Sequence, residues 1–255
     1  MLLHKKYKTG LVLSGGGARG FAHLGVVKAL NEKGIRCDII SGVSAGAIAG
    51  AYLASGFRPD QIYDLLASQD IMKISKMQLP KDGLLKLTGL KKYLQNHIPF
   101  TDLKDLPIPL MVAVTNLNKA RVEYHDRGPL ADLVLASASI PVLFSPVMIN
   151  GDQYVDGGVY DNLPVQPIYH NCKKIIAVNI SPVYEEGRFE NILKIATRVF
   201  HLGVAKSTRQ WGEKVDLLIQ PPGVEKHDIL RTKHIRELFD GAYEFTQKLL
   251  TDVIW

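Results

Sequence analysis

Asp38-Ile39-Ile40-Ser41-Gly42-Val43-Ser44-Ala45-Gly46-Ala47-Ile48-Ala49-Gly50 is the stretch that decides the fold. It divides into three pieces. Ile39 and Ile40 read as the end of a buried strand. Gly42-Val43-Ser44-Ala45-Gly46 fits G-x-S-x-G, a sharp strand-to-helix turn that lifts a serine hydroxyl off the sheet. Ala47 to Leu53 is small and apolar, as suits a helix packed closely on a sheet. The spacing has a chemical reason. Gly42 and Gly46, two residues either side of Ser44, leave room for a strained turn and for neighbouring backbone. The helix N-terminus favours negative charge beside the hydroxyl. Ser44 is therefore the candidate nucleophile, although the same pattern also occurs in plain strand–helix turns.

Upstream, Thr9 to Ser14 reads as a first buried strand, followed by the turn Gly15-Gly16-Gly17-Ala18-Arg19-Gly20. Phe21 to Lys33 reads as a helix closed by Gly34, and Ile35 to Ser41 as the second strand. Strand, glycine loop, helix, strand, elbow and helix make a parallel βαβ unit. The glycine loop has two readings. Gly15-x-Gly17-x-x-Gly20 satisfies a dinucleotide fingerprint, which also asks for an acid at the end of the second strand. Ser41-Gly42 stands there, and Asp38 comes too early. No Lys-Ser/Thr follows Gly20, so a phosphate P-loop fails as well. The other reading is an oxyanion hole, in which the N–H groups of Gly15, Gly16 and Gly17 face a developing negative oxygen. Neighbouring first and second strands would set that loop beside Ser44 at the carboxyl edge of the sheet. The oxyanion hole is the favoured reading.

The bulk of the chain bounds the rest. At 255 residues, 46% hydrophobic and 22% charged, it reads as one α/β domain spanning 1–255, large enough for its own core. Its two cysteines, Cys37 and Cys172, lie far apart and form no metal-type spacing, so a reducing cytoplasm is expected. Lys5 and Lys6 interrupt the short N-terminus, and neither a secretory segment nor a transmembrane stretch is expected. A net charge of +6 allows anionic partners such as phospholipid head groups or nucleic acid and selects neither.

Ile71 to Phe100 stands apart. Lys73, Lys76, Lys81, Lys86, Lys91 and Lys92 face one acid, Asp82, among regularly placed leucines and methionines. This is a candidate lid on an anionic lipid surface, but a solvated amphipathic cap is the favoured reading. Further on, Leu110 to Thr115 reads as a buried strand with Arg121 to Tyr124 as its hairpin neighbour. Leu130 to Ala138 reads as a short helix. Val147–Ile149 and Gln153–Val155 flank Asn150-Gly151, a hairpin turn. Lys174 to Ile180 and Val215 to Ile219 read as strands, Asn191 to Lys214 as a long helix, and Ile235 to Leu250 as a closing amphipathic helix. The order argues for an open, mostly parallel sheet between helix layers. The closing helix, ending in Val253-Ile254-Trp255, fits internal packing or a homo-oligomer contact equally well.

Ser44 needs a base. His227 and His234 come late enough, but neither follows an obvious buried strand with an acid before it. His23 reads as a packed, hydrogen-bonded histidine. Asp156 ends a hairpin strand and precedes Gly157 and Gly158. It can be a turn cap, or a carboxylate whose burial raises its pKa toward neutrality and fits it to take the serine proton.

Ser14–Gly25 (SGGGARGFAHLG), Gly42–Gly46 (GVSAG), Ala136–Pro141 (ASASIP) and Asp156–Gly158 (DGG) together resemble the four ordered blocks of the patatin-like phospholipase family. The resemblance extends from about Lys8 to Asn179, and the bacterial cytoplasmic type is nearest. It implies a three-layer α/β/α sandwich with a mostly parallel central sheet. It also implies a Ser44–Asp156 dyad without histidine, an oxyanion hole on Gly15-Gly16-Gly17, and Arg19 holding the shape of that loop. It implies hydrolysis of acyl esters of phospholipids, lysophospholipids or acylglycerols, with no cofactor, no metal and no nucleic-acid partner. Peripheral membrane contact through 71–100 is compatible with it. A lipid-binding or regulatory protein without turnover, and a dinucleotide-binding protein using Gly15, Gly17 and Gly20, are the rival readings.

Overall fold

The computed structural model describes residues 5–68, 87–184, 190, 195, 198–199, 202–203, 210–229, 233–251 and 255. The first third holds β1 (Tyr7–Leu13), α1 (Phe21–Glu32), β2 (Ile39–Gly42), α2 (Ala45–Ala54) and α3 (Pro59–Ala67). The middle holds α4 (Thr88–His97), β3 (Leu110–Asn116), β4 (Arg121–His125), α5 (Leu130–Ser137) and the hairpin β5 (Val147–Ile149) to β6 (Asp152–Asp156). Then come β7 (Cys172–Val178), β8 (Leu217–Ile219) and α6 (Ile235–Leu249). The expected helix over 191–214 and the 71–86 part of the lysine-rich segment lie outside the described residues, save for isolated positions.

Among the described residues eight strands form one sheet in the order β5-β6-β3-β2-β1-β7-β8, with β4 also on β3. Strands β3, β2, β1, β7 and β8 run parallel, whereas β4, β6 and β5 join antiparallel. The fold is thus α/β with a mostly parallel central sheet. Alternation along the strands separates two cores. Leu11, Leu13, Ile40, Ile176 and Val178 join the larger one, under the helices. Val12, Ile39, Ile175 and Ala177 pack on the other face against Leu163, Val165 and Ile168.

Two strands, β2 and β8, start later than the sequence predicts, for one repeated reason, whereas β1 and β7 start two residues earlier. Asp38 accepts the Thr9 N–H at 2.8 Å, and Asp216 accepts the Ile175 N–H at 2.7 Å. Each side chain takes a donor that a backbone carbonyl would otherwise hold, so β2 begins at Ile39 and β8 at Leu217. Asn150 and Gly151 both take positive φ, 51° and 88°, the geometry of a tight type I′ hairpin. Gly25 lets α1 lie against α6, since a Cβ there would stand 2.1 Å from the Phe239 carbonyl oxygen. Part of the expected cap is core: Leu87, Leu90 and Leu94 are buried, and Lys91 of α4 pairs with Asp132 of α5 at 2.5 Å.

Candidate active site

The site lies where the parallel strands end. The chain leaves β2 at Gly42 and enters α2 through Ser44, whose backbone takes φ 53° and ψ −121°. Few non-glycine residues adopt this conformation, and it is held from several sides. Val43 N–H donates to the Leu13 carbonyl at 3.2 Å, and Ser44 N–H donates to Ser137 Oγ at 2.8 Å. The flanking glycines are sterically required. A Cβ at Gly42 would lie 2.6 Å from the Gly46 oxygen, and one at Gly46 would lie 2.2 Å from the Leu13 oxygen.

Asp156 arrives from the other direction, at the end of antiparallel β6 and opposite Val114 of β3. It is buried and accepts the Gly158 N–H at 2.8 Å. Burial raises its pKa from an ordinary 3.8 to about 7, against the opposing pull of the nearby Ser44 side chain and of the Gly158 N–H. Gly157 permits this approach, because a Cβ there would meet the Ala113 oxygen at 2.3 Å.

Between the two stands the segment Ala136–Pro141. Ser137 Oγ accepts from Ser44 N–H and donates to the Ala113 carbonyl at 2.7 Å. The Ser139 carbonyl accepts the Asp156 N–H at 2.9 Å. Two residues, Ser137 and Ser139, thus tie Ser44, Asp156 and β3 into one unit. The sequence marked this segment as a block but assigned Ser137 and Ser139 no role. Asn162 was also missed: its Oδ1 would stand 2.3 Å from a Cβ on Gly15, itself beside Ser44.

In the glycine loop, Gly15 is fixed at both ends. Its N–H donates to the Asn162 carbonyl at 3.3 Å, and its carbonyl accepts from Ser181 Oγ at 2.8 Å and Ser14 Oγ at 3.1 Å. In a trans peptide the following N–H points opposite the carbonyl, so Gly16 N–H is aimed away from Ser181. Ala18 N–H donates to the Ile229 carbonyl at 2.7 Å. Arg19 is buried; its Nε donates to the His227 carbonyl at 2.8 Å and its Nη2 to the Glu225 carbonyl at 3.2 Å. The loop is therefore laced to a strap, residues 224–229. With the Gly15 and Ala18 N–H groups already donating to carbonyls, the loop is short of the donors that a dinucleotide phosphate would need.

His23 is fully buried, its Nε2 is 2.8 Å from the Ser14 carbonyl, and burial lowers its pKa to about 4. It is the packed, neutral histidine expected. His227 and His234 stack near each other with ring centres 5.4 Å apart. An apolar pocket of about 110 Å³ opens beside Ser44, lined by Leu24, Ile48, Leu87, Ile140 and Phe144 among others. Among the described residues no helix is long and apolar enough to cross a membrane.

Residues 11–169 match the family model described as patatin-like phospholipase. An uncharacterized NTE family protein of Mycobacterium bovis is 32% identical over 178 residues, covering 68% of this chain and 49% of that protein. Lysophospholipase NTE1 of Kluyveromyces lactis is 34% identical over 184 residues, 68% of this chain and 13% of that protein. The chain thus aligns with about half the length of its mycobacterial relative and a small part of the yeast one. In shape it is similar to VipD from Legionella pneumophila, with a TM-score of 0.59 at 18% identity, covering 96% of this chain and 67% of that one.

Proposed function

Because the chain belongs to the patatin-like phospholipase family, we propose that it is a serine acyl-ester hydrolase of lipids, of the phospholipase, lysophospholipase or acylglycerol lipase type. The observation that carries this reading is the buried Asp156 carboxylate, set near the Ser44 side chain and with its pKa raised to about 7. A carboxylate poised there accepts the serine proton at neutral pH. Ser44 then attacks the acyl carbonyl, and the alcohol departs with the proton returned by Asp156. Water, activated by the same carboxylate, frees the fatty acid. The oxyanion is held by Gly16 and Gly17 N–H, the former aimed by the Ser181 and Ser14 bonds on the preceding carbonyl. One such donor is worth about 3–4 kcal/mol in a transition state. Gly15 serves by its shape, since its own N–H is given to Asn162. The apolar pocket takes the acyl chain. The name of the yeast relative supports the lipid class.

The test is hydrolysis of short and long p-nitrophenyl acyl esters by wild type, Ser44→Ala and Asp156→Asn side by side. Wild type turns over, and each variant loses about 10⁴-fold or more. Retained turnover in Ser44→Ala sinks the assignment. Full activity in Asp156→Asn alone moves the base to His227 or His234. An inactive wild type that still binds lipid favours a lipid-binding protein.

A further inference from the structure

His227, His234 and Glu237 bring one donor atom each within 4.8 Å of one another. His227 is on the strap that holds the glycine loop, and the other two are on the first turn of α6 and the residue before it. We propose that these three residues bind a divalent transition-metal ion of the zinc type and that the ion braces the strap. Two imidazoles and one carboxylate, with water in the fourth place, suit tetrahedral zinc. The spacing is close to what such an ion requires. His234 Nδ1 and Glu237 Oε1 stand 3.0 Å apart. Two ligands of a tetrahedral zinc ion, each about 2.1 Å from the metal, are about 3.4 Å apart. An ion entering there displaces the proton now shared by that pair. His234 and Glu237 are exposed, which gives the ion a path in.

The consequence reaches Ser44 through backbone. The His227 carbonyl accepts from Arg19, and two residues later the Ile229 carbonyl accepts from Ala18. Pinning the His227 ring to α6 fixes the segment whose carbonyls hold the glycine loop. The ion contacts none of the groups assigned to ester cleavage, so the proposal stands or falls separately from that reading.

The test uses chelator-treated full chain titrated with Co²⁺ and then Zn²⁺. One equivalent of Co²⁺ is expected to give the intense visible absorption of a four-coordinate ion, bleached by Zn²⁺. At Zn²⁺ about 100-fold above its Kd, the thermal midpoint rises by roughly 5–10 °C. Exchange of the Ala18 amide slows. His234→Ala and Glu237→Gln, both at exposed positions that the fold tolerates, lose about 100-fold or more in affinity and lose the spectrum. A wild type with only the weak spectrum of hydrated cobalt, or variants that keep the wild-type spectrum, overturns the site. Ala18 exchange unchanged by bound Zn²⁺ overturns the bracing.

Discussion

At Ser44 the backbone holds a conformation that costs a non-glycine residue about 1–3 kcal/mol. The strain persists because Leu13, Ser137 and the flanking glycines leave the turn no other path. Its relief should be measurable. Ser44→Gly removes the strain at an entropic cost of about 0.5–1 kcal/mol in the unfolded chain. Denaturant unfolding of this variant should show a net gain of up to about 2 kcal/mol with turnover abolished. Ser44→Ala keeps the strain and should gain nothing. A Ser44→Gly variant no more stable than Ser44→Ala would show that the turn is unstrained.

Among the elements, the peptide around Ser137 joins the two halves of the site. Its hydroxyl is buried, with one bond to Ser44 N–H and one to the Ala113 carbonyl. Ser137→Ala leaves both groups buried without a partner, at about 1–3 kcal/mol. Stability should fall by that amount, and turnover should fall further than the stability loss explains. Unchanged kcat would mean that Ser44 is placed without it. This segment also marks the limit of what the sequence makes legible. The glycines around Ser44 announce the elbow because each excludes a side chain at a fixed spacing. Asp156 stands out because two glycines follow a hairpin strand. A serine that bonds to backbone many residues away has no such local signature, and neither do Asn162 and Ser181. The starts of β2 and β8 were misjudged for a related reason: Asp38 and Asp216 act on partners in other strands. The Gly34 helix end and the Asn150-Gly151 turn, which depend only on local backbone, were read correctly.

For the whole molecule, Asp156 couples activity and stability to pH in opposite senses. As the proposed base it must be ionised, so kcat/KM should rise about tenfold per pH unit below 7 and level off above. Its folded pKa is raised, so its contribution to stability is fully present below about pH 4. That contribution is lost as pH rises toward 7. A displacement from 3.8 to about 7 corresponds to about 4 kcal/mol. Unfolding measured from pH 4 to 8 should show this decline in wild type and lose most of it in Asp156→Asn. Parallel pH profiles in the two proteins would place the group that titrates elsewhere.

The sheet order has a consequence in time. Ser44 belongs to the first strands, whereas Asp156 sits on an antiparallel hairpin that pairs with β3 from the far side. A ribosome releases the proposed nucleophile well before the carboxylate proposed to activate it, and domains take shape as their parts emerge. A nascent chain halted between the two has an elbow with no proton acceptor and no Ser137 to hold it. On the proposed mechanism, the capacity to cleave an ester therefore waits until the β5–β6 hairpin has emerged and paired with β3.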